Sequence, residues 1–130
     1  MRHLTRAFAV GALRRGKAVE QFLGETTVQG VRGVRWVAVE PWSGGYRVSL
    51  HTVADPDDEH ALDLANLLSL DPVDEEFVGE GRELGRAADA ESAIDLAERL
   101  TDAVGGRWVN ATLAGEEYAE LVRARRSAAG

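Results

Sequence analysis

The stretch VRWVAVEPWSGGYRVSLHTV, residues 34–53, constrains the fold more than any other part of the chain. Two runs rich in β-branched and aromatic residues, 34–39 and 46–53, flank Trp42-Ser43-Gly44-Gly45, where glycines supply the positive φ that tight hairpin turns require. In the second run Tyr46, Val48 and Leu50 alternate with Arg47, Ser49 and His51, which separates an inward face from an outward one. With Pro41 opposite Tyr46, Val39 meets Val48 and Val37 meets Leu50 on one apolar face. The other face then pairs Glu40 with Arg47, Ala38 with Ser49 and Trp36 with His51. A cross-strand acid–base pair favours this register, and a slip of one residue would exchange the faces. Pro41, which has no N–H to donate, belongs near the turn or on an edge. Trp36 therefore lies on the second face. The expected cover is a helix; the alternative makes Trp36 a partner contact.

Around this hairpin the pattern is mixed. Leu4, Phe8, Ala12, Val19, Phe22 and Leu23 share one side of a helical wheel, so residues 3–23 read as helical, with a break at Gly16. Residues 18–23 serve equally as an opening strand. The glycine-bearing segment 25–33 reads as a loop, 60–70 as a short helix, and 82–88 as a returning strand. Asp89 fits an N-cap, followed by an apolar stripe through Ala93, Ile94, Ala97, Leu100 and Val104 that Gly105-Gly106 should stop. A short extended piece at 107–110 precedes a last helix over 116–126, acidic at its start and arginine-rich at its end, as the helix dipole favours. Residues 127–130 are expected to fray. Arg-Trp-Val occurs at 35–37 and again at 107–109, in contexts too dissimilar for a repeat. Trp108 is expected to be buried, anchoring the last helix against the sheet.

Charge is unevenly placed. Residues 55–83 hold eleven acidic side chains against Arg82 alone, whereas residues 1–54 carry a basic excess and the whole chain is −7. Acids so concentrated repel one another unless a positive surface neutralises them, either a basic partner or the basic 1–54 region itself. The partner-binding candidates are accordingly Asp57, Asp58, Glu59, Asp74, Glu75 and Glu76, with Trp36. Direct nucleic-acid binding is disfavoured by the net charge.

No motif for chemistry survives inspection. Gly79-x-Gly81-x-x-x-Gly85 has one residue too many for a dinucleotide fingerprint and follows an acidic run. Read as a calcium loop from Asp55, the sixth position is His60 and the twelfth Asn66, where glycine and glutamate are needed. No spacing joins Ser43, Ser49, Ser69 or Ser92 to His51 and an acid, and Glu116 and Glu117 point about 100° apart on a helix. Neither a cofactor nor a metal is expected. With no cysteine, thiol catalysis and disulfide scaffolding are excluded.

One hundred and thirty residues suit a single domain. The apolar run at 7–13 is far too short to span a bilayer and leads into Arg14-Arg15 without a cleavage site. The expectation is a cytoplasmic α+β protein, built on a small antiparallel sheet around the 34–53 hairpin with helices on at least one face. Its expected function is an inhibitor- or chaperone-like protein-binding module, acting on a basic or secreted partner and not on nucleic acid or membrane. The alternatives are a small enzyme with a dispersed site near Trp36, Arg47 and His51, and a homo-oligomeric structural protein.

Overall fold

The computed structural model describes residues 3–71 and 81–129. Their elements run α1 (Arg6–Arg14), β1 (Val19–Val28), β2 (Val31–Trp42), β3 (Gly45–Ala54), a single 3-10 turn (Leu64–Asn66), β4 (Arg82–Ala87), α2 (Ala90–Leu100), β5 (Val109–Asn110) and α3 (Ala114–Ala129). The five strands form one antiparallel sheet in the order β4-β3-β2-β1-β5. The fold is α+β, as the hairpin pattern implied.

The β2–β3 register is the one that side-chain alternation favours. Pro41 faces Tyr46, Glu40 faces Arg47, Val39 faces Val48, Val37 faces Leu50 and Trp36 faces His51. Each face of the sheet is covered. On the first, Val19, Val37, Val39 and Val48 pack with Ala9, Val10, Ala12 and Leu13 of α1, Ala90, Ala93, Ile94 and Ala97 of α2, and Trp108. On the second, Val34, Trp36 and Val53 pack with Leu64 and with Ala114, Tyr118 and Val122 of α3. Trp36 is thus under helix cover, 4% exposed.

Several boundaries differ from the sequence reading, each for a local reason. The expected loop over 25–33 is strand on both sides of a two-residue turn. Gln29 and Gly30 both take positive φ there, as Ser43 and Gly44 do in the second hairpin, and this backbone twist matches that of paired strands. A bulge between Phe22 and Gly24 reverses the faces of β1, so that Glu25 lies on the α3 side. Helix α1 spans only Arg6–Arg14, capped by the Thr5 hydroxyl, which accepts from the Phe8 amide at 3.3 Å. Its buried side is Ala9, Val10, Ala12 and Leu13, and Phe8 is exposed. Asp89 caps α2 as expected, its carboxylate accepting from the Ser92 amide at 2.8 Å.

The apolar stripe does not carry α2 to Val104. The helix ends at Leu100 because Thr101 turns extended, its hydroxyl donating to the Ala97 carbonyl at 2.7 Å. Beyond it, the Gln21 side-chain amide holds Val104 by two hydrogen bonds of 2.9 Å, donating to its carbonyl and accepting from its N–H. The helix expected over 60–70 is the single turn at Leu64–Asn66. After it, the Ala54 and Leu70 amides donate to the Leu68 and Thr52 carbonyls, which lays residues 68–70 along the end of β3. Helix α3 continues to Ala129 where fraying was expected; Gly130 lies outside the described residues.

Candidate functional site

The acidic candidates divide into two groups. Asp74, Glu75 and Glu76 lie outside the described residues. Asp57, Asp58 and Glu59 form a turn that the arginines of α3 hold from within the chain. Arg123 and Arg126 donate to the two Glu59 carboxylate oxygens at 3.1 and 2.8 Å, and Arg125 donates to Asp57 at 3.1 Å. Asp58 turns back on the loop, its carboxylate accepting from the His60 amide. The neutralising positive surface is therefore chiefly the C-terminal helix; the 1–54 region contributes Arg32, 3.6 Å from Asp55.

Asp55 is the centre of this arrangement. Its carboxylate accepts from the Tyr118 hydroxyl at 2.6 Å, Arg125 Nη2 at 2.7 Å and the Asp57 amide at 2.9 Å. Burial alone would raise its pKa, but these donors outweigh burial and lower it to about 2. Burial and the bond to Asp55 push the Tyr118 hydroxyl up to about 12. The side chain of Asp55 is 1% exposed, so solvent screens it little. Because its folded pKa is depressed, its stabilisation is present above the unfolded value near 4 and lost as pH falls through 2. Asp55→Asn should therefore cost about 2 kcal/mol at neutral pH, and the gap from the parent protein should close towards pH 2. Urea unfolding across that range measures it; a gap independent of pH would remove Asp55 from the acid response.

On the second face of the sheet lies a cleft of about 170 Å³, between the strands, the residue 62–65 turn and the start of α3. Its polar lining is Glu20, Glu40, Asp63, His51 and Thr112, with Trp36, Leu62 and Leu64 among its apolar walls. Among the described residues neither lysine nor arginine lines it. The Trp36 and His51 rings stack at 4.6 Å and 7°, a consequence of their cross-strand pairing. Gly81 lies on the imidazole, where an added Cβ would be 2.8 Å from Cε1. Ser49 Oγ is 3.3 Å from His51 Nε2, but Ser49 is buried and outside the cleft lining.

The carboxylates differ in situation. Glu20 is buried at the start of α3, where it accepts from the Ala114 amide at 2.9 Å and so serves an otherwise unpaired helix N–H. Burial raises its pKa, the Ala114 and Thr112 amides oppose the rise, and the charge of Asp63 adds to it. Asp63 itself accepts from Asn66 Nδ2 at 2.7 Å. Glu40 is balanced by Arg47, whose Nε donates to it at 3.0 Å and whose guanidinium lies 3.7 Å over the Trp42 ring. The structure thus brings Trp36 and His51 together and turns Arg47 away to Glu40 and Trp42.

Glu20 and Asp63 carry no sequence signal for this site, since one looks like a strand residue and the other like part of a solvated loop. Among the described residues no three acidic or histidine side chains are grouped to hold a metal, and no helix is long and apolar enough to cross a membrane. The class defined here is an α+β sheet with helices on both faces and an acidic, aromatic-walled cleft on one of them. No family model, curated protein or solved structure matches the chain.

Proposed function

We propose that the chain is a small cytoplasmic protein-binding module, inhibitor- or chaperone-like, whose basic partner places a lysine or arginine side chain in this cleft. One observation carries the reading: the like-charged Glu20, Glu40 and Asp63 line one cleft to which, among the described residues, no lysine or arginine contributes, so their repulsion there has no cation in the lining to offset it. A cation entering the cleft would relieve that repulsion, and the Trp36 indole would pack against its aliphatic stem. The acidic turn at Asp57–Glu59 is a poorer candidate, because α3 already supplies its counter-charges.

The rival reading, a small enzyme around Trp36, Arg47 and His51, draws support from the place of His51 in the same cleft. Burial of Ser49 beside His51 and the engagement of Arg47 with Glu40 weigh against that reading.

The test is an NMR titration of the isotopically labelled protein with the blocked tripeptide acetyl-Gly-Arg-Gly-amide, against its Gly-Gln-Gly counterpart. The arginine peptide should give saturable shifts at Glu20, Trp36, Asp63 and Gly115. The binding should fade as salt shortens the Debye length from about 10 Å at 0.1 M to about 3 Å at 1 M. Equal response to the two peptides, or none that saturates, would overturn the proposal.

A further inference from the structure

The opposite face of the sheet offers a second, differently charged site. Helices α1 and α2 cover only part of that face, and beyond them lies a groove of about 420 Å³. Its apolar walls are Val28, Leu50, Leu70 and Leu84, and its cations are Arg35 and Arg82. Strand register explains the grouping. Leu50 faces Arg82 across β3 and β4, Thr52 faces Arg35 across β3 and β2, and residues 68–70 bring Leu70 over Gly33.

The two arginines are not equivalent. Arg82 is held in a fork by Asp71, with Nε and Nη2 each 2.9 Å from a carboxylate oxygen. Arg35 Nη2 donates to Asp102 at 3.2 Å, and Asp102 is 82% exposed. Such a surface pair is worth little and yields readily. Arg35 Nε is buried with no hydrogen-bond partner among the described residues, so the guanidinium leaves a desolvated donor unused there. A groove of this size, mostly apolar with a few placed polar groups, has the character of a small-ligand site.

We propose that this groove binds a small apolar carboxylate, its chain against Leu50, Leu70 and Leu84 and its carboxylate taken by Arg35 in place of Asp102. Charge selects this occupant: the fork with Asp71 neutralises Arg82, which among the described lining residues leaves Arg35 as the cation for a carboxylate. The inference is independent of the cleft on the second face, which is acidic and would repel the same ligand.

The probe is octanoate below its micellar range, titrated into the labelled full-length protein alongside octanamide and octylamine. Octanoate should give saturable amide shifts confined to the groove, at Arg35 and at Leu50, Thr52, Leu70 and Leu84 among its lining, with octanamide at least about tenfold weaker and octylamine weaker still. Arg35→Gln should reduce octanoate affinity about tenfold and leave octanamide unchanged, whereas Arg35→Lys should keep part of the difference. Equal affinity for the three probes, shifts scattered over the surface, or octanoate binding unaffected by Arg35→Gln would each overturn the proposal. The comparison among probes needs only the unaltered protein, so it stands even where a variant folds poorly.

Discussion

Trp108→Ala is expected to destabilise the protein by about 3–5 kcal/mol, the range for deleting a fully buried aromatic. Trp108 is 0% exposed and packs with α1, α2 and the sheet, and its carbonyl accepts from the Leu4 amide at 2.6 Å. Its side chain thus closes the first-face core at the point where the chain passes from α2 towards β5. The sequence placed it correctly as buried but against the wrong helix: its packing partners are α1 and α2, not α3. The indole Nε1 is buried without a partner among the described residues, so part of the residue's apolar gain is offset. Trp108→Phe removes that donor and keeps most of the volume, and should cost under about 1.5 kcal/mol. Urea unfolding of the two variants separates the effects. A loss below about 1 kcal/mol for the alanine variant would place Trp108 on the surface.

The second large effect is expected at Gly115. It is buried in the first turn of α3, and a Cβ built there would lie 1.7 Å from the Leu62 carbonyl oxygen and 2.6 Å from its carbon. Both are backbone atoms, so no side-chain rotation relieves the clash; either α3 or the 62–65 turn must move. Gly115→Ala should therefore cost about 3 kcal/mol or more, beyond ordinary overpacking, despite the better helix propensity of alanine. The displaced turn carries Leu62, Asp63, Leu64 and Ala65, all of which line the cleft, so arginine-peptide binding should weaken with stability. A variant as stable as the parent would show that α3 and the turn are not in contact. As a control, alanine at Gly105, where the nearest atom to an added Cβ is the tip of Glu98 at 3.9 Å, should be mild.

How much of this was legible follows from the range of each interaction. The β2–β3 register could be read because alternation, a turn and one acid–base pair all lie within twenty residues, and they agree. The Asp89 cap and the returning strand at Arg82–Ala87 were legible for the same reason. The first hairpin is hidden in the sequence because Thr26, Thr27, Gln29, Gly30 and Gly33 read as a polar loop, although Gln29-Gly30 forms the tight turn. The end of α2 does not show in the apolar stripe because the Gln21 amide that draws out Val104 lies 83 residues away.

The candidate site was harder for the same reason. The arginines that neutralise Asp57 and Glu59 are 64 to 68 residues distant, and Glu20 meets Ala114 across 94. Charge counting by segment identifies these acids, but the arginines that meet Asp57 and Glu59 come from α3, while the 1–54 region supplies Arg32 to Asp55. Trp36 and His51 were paired correctly from register alone, and the cleft beside them required α3 to be in place.

Recognition of a basic group by the cleft and not by the acidic turn is tested by one pair of variants. Asp63→Asn removes a cleft charge while keeping a side chain of the same shape; Asp57→Asn does the same in the turn, where Arg125 retains Asp55 and Glu25. In the acetyl-Gly-Arg-Gly-amide titration at 0.05 M salt, Asp63→Asn should weaken binding about fivefold to tenfold, and Asp57→Asn should change it less than about twofold. The reverse ranking, with Asp57→Asn the damaging change, would return recognition to the acidic turn and contradict the account.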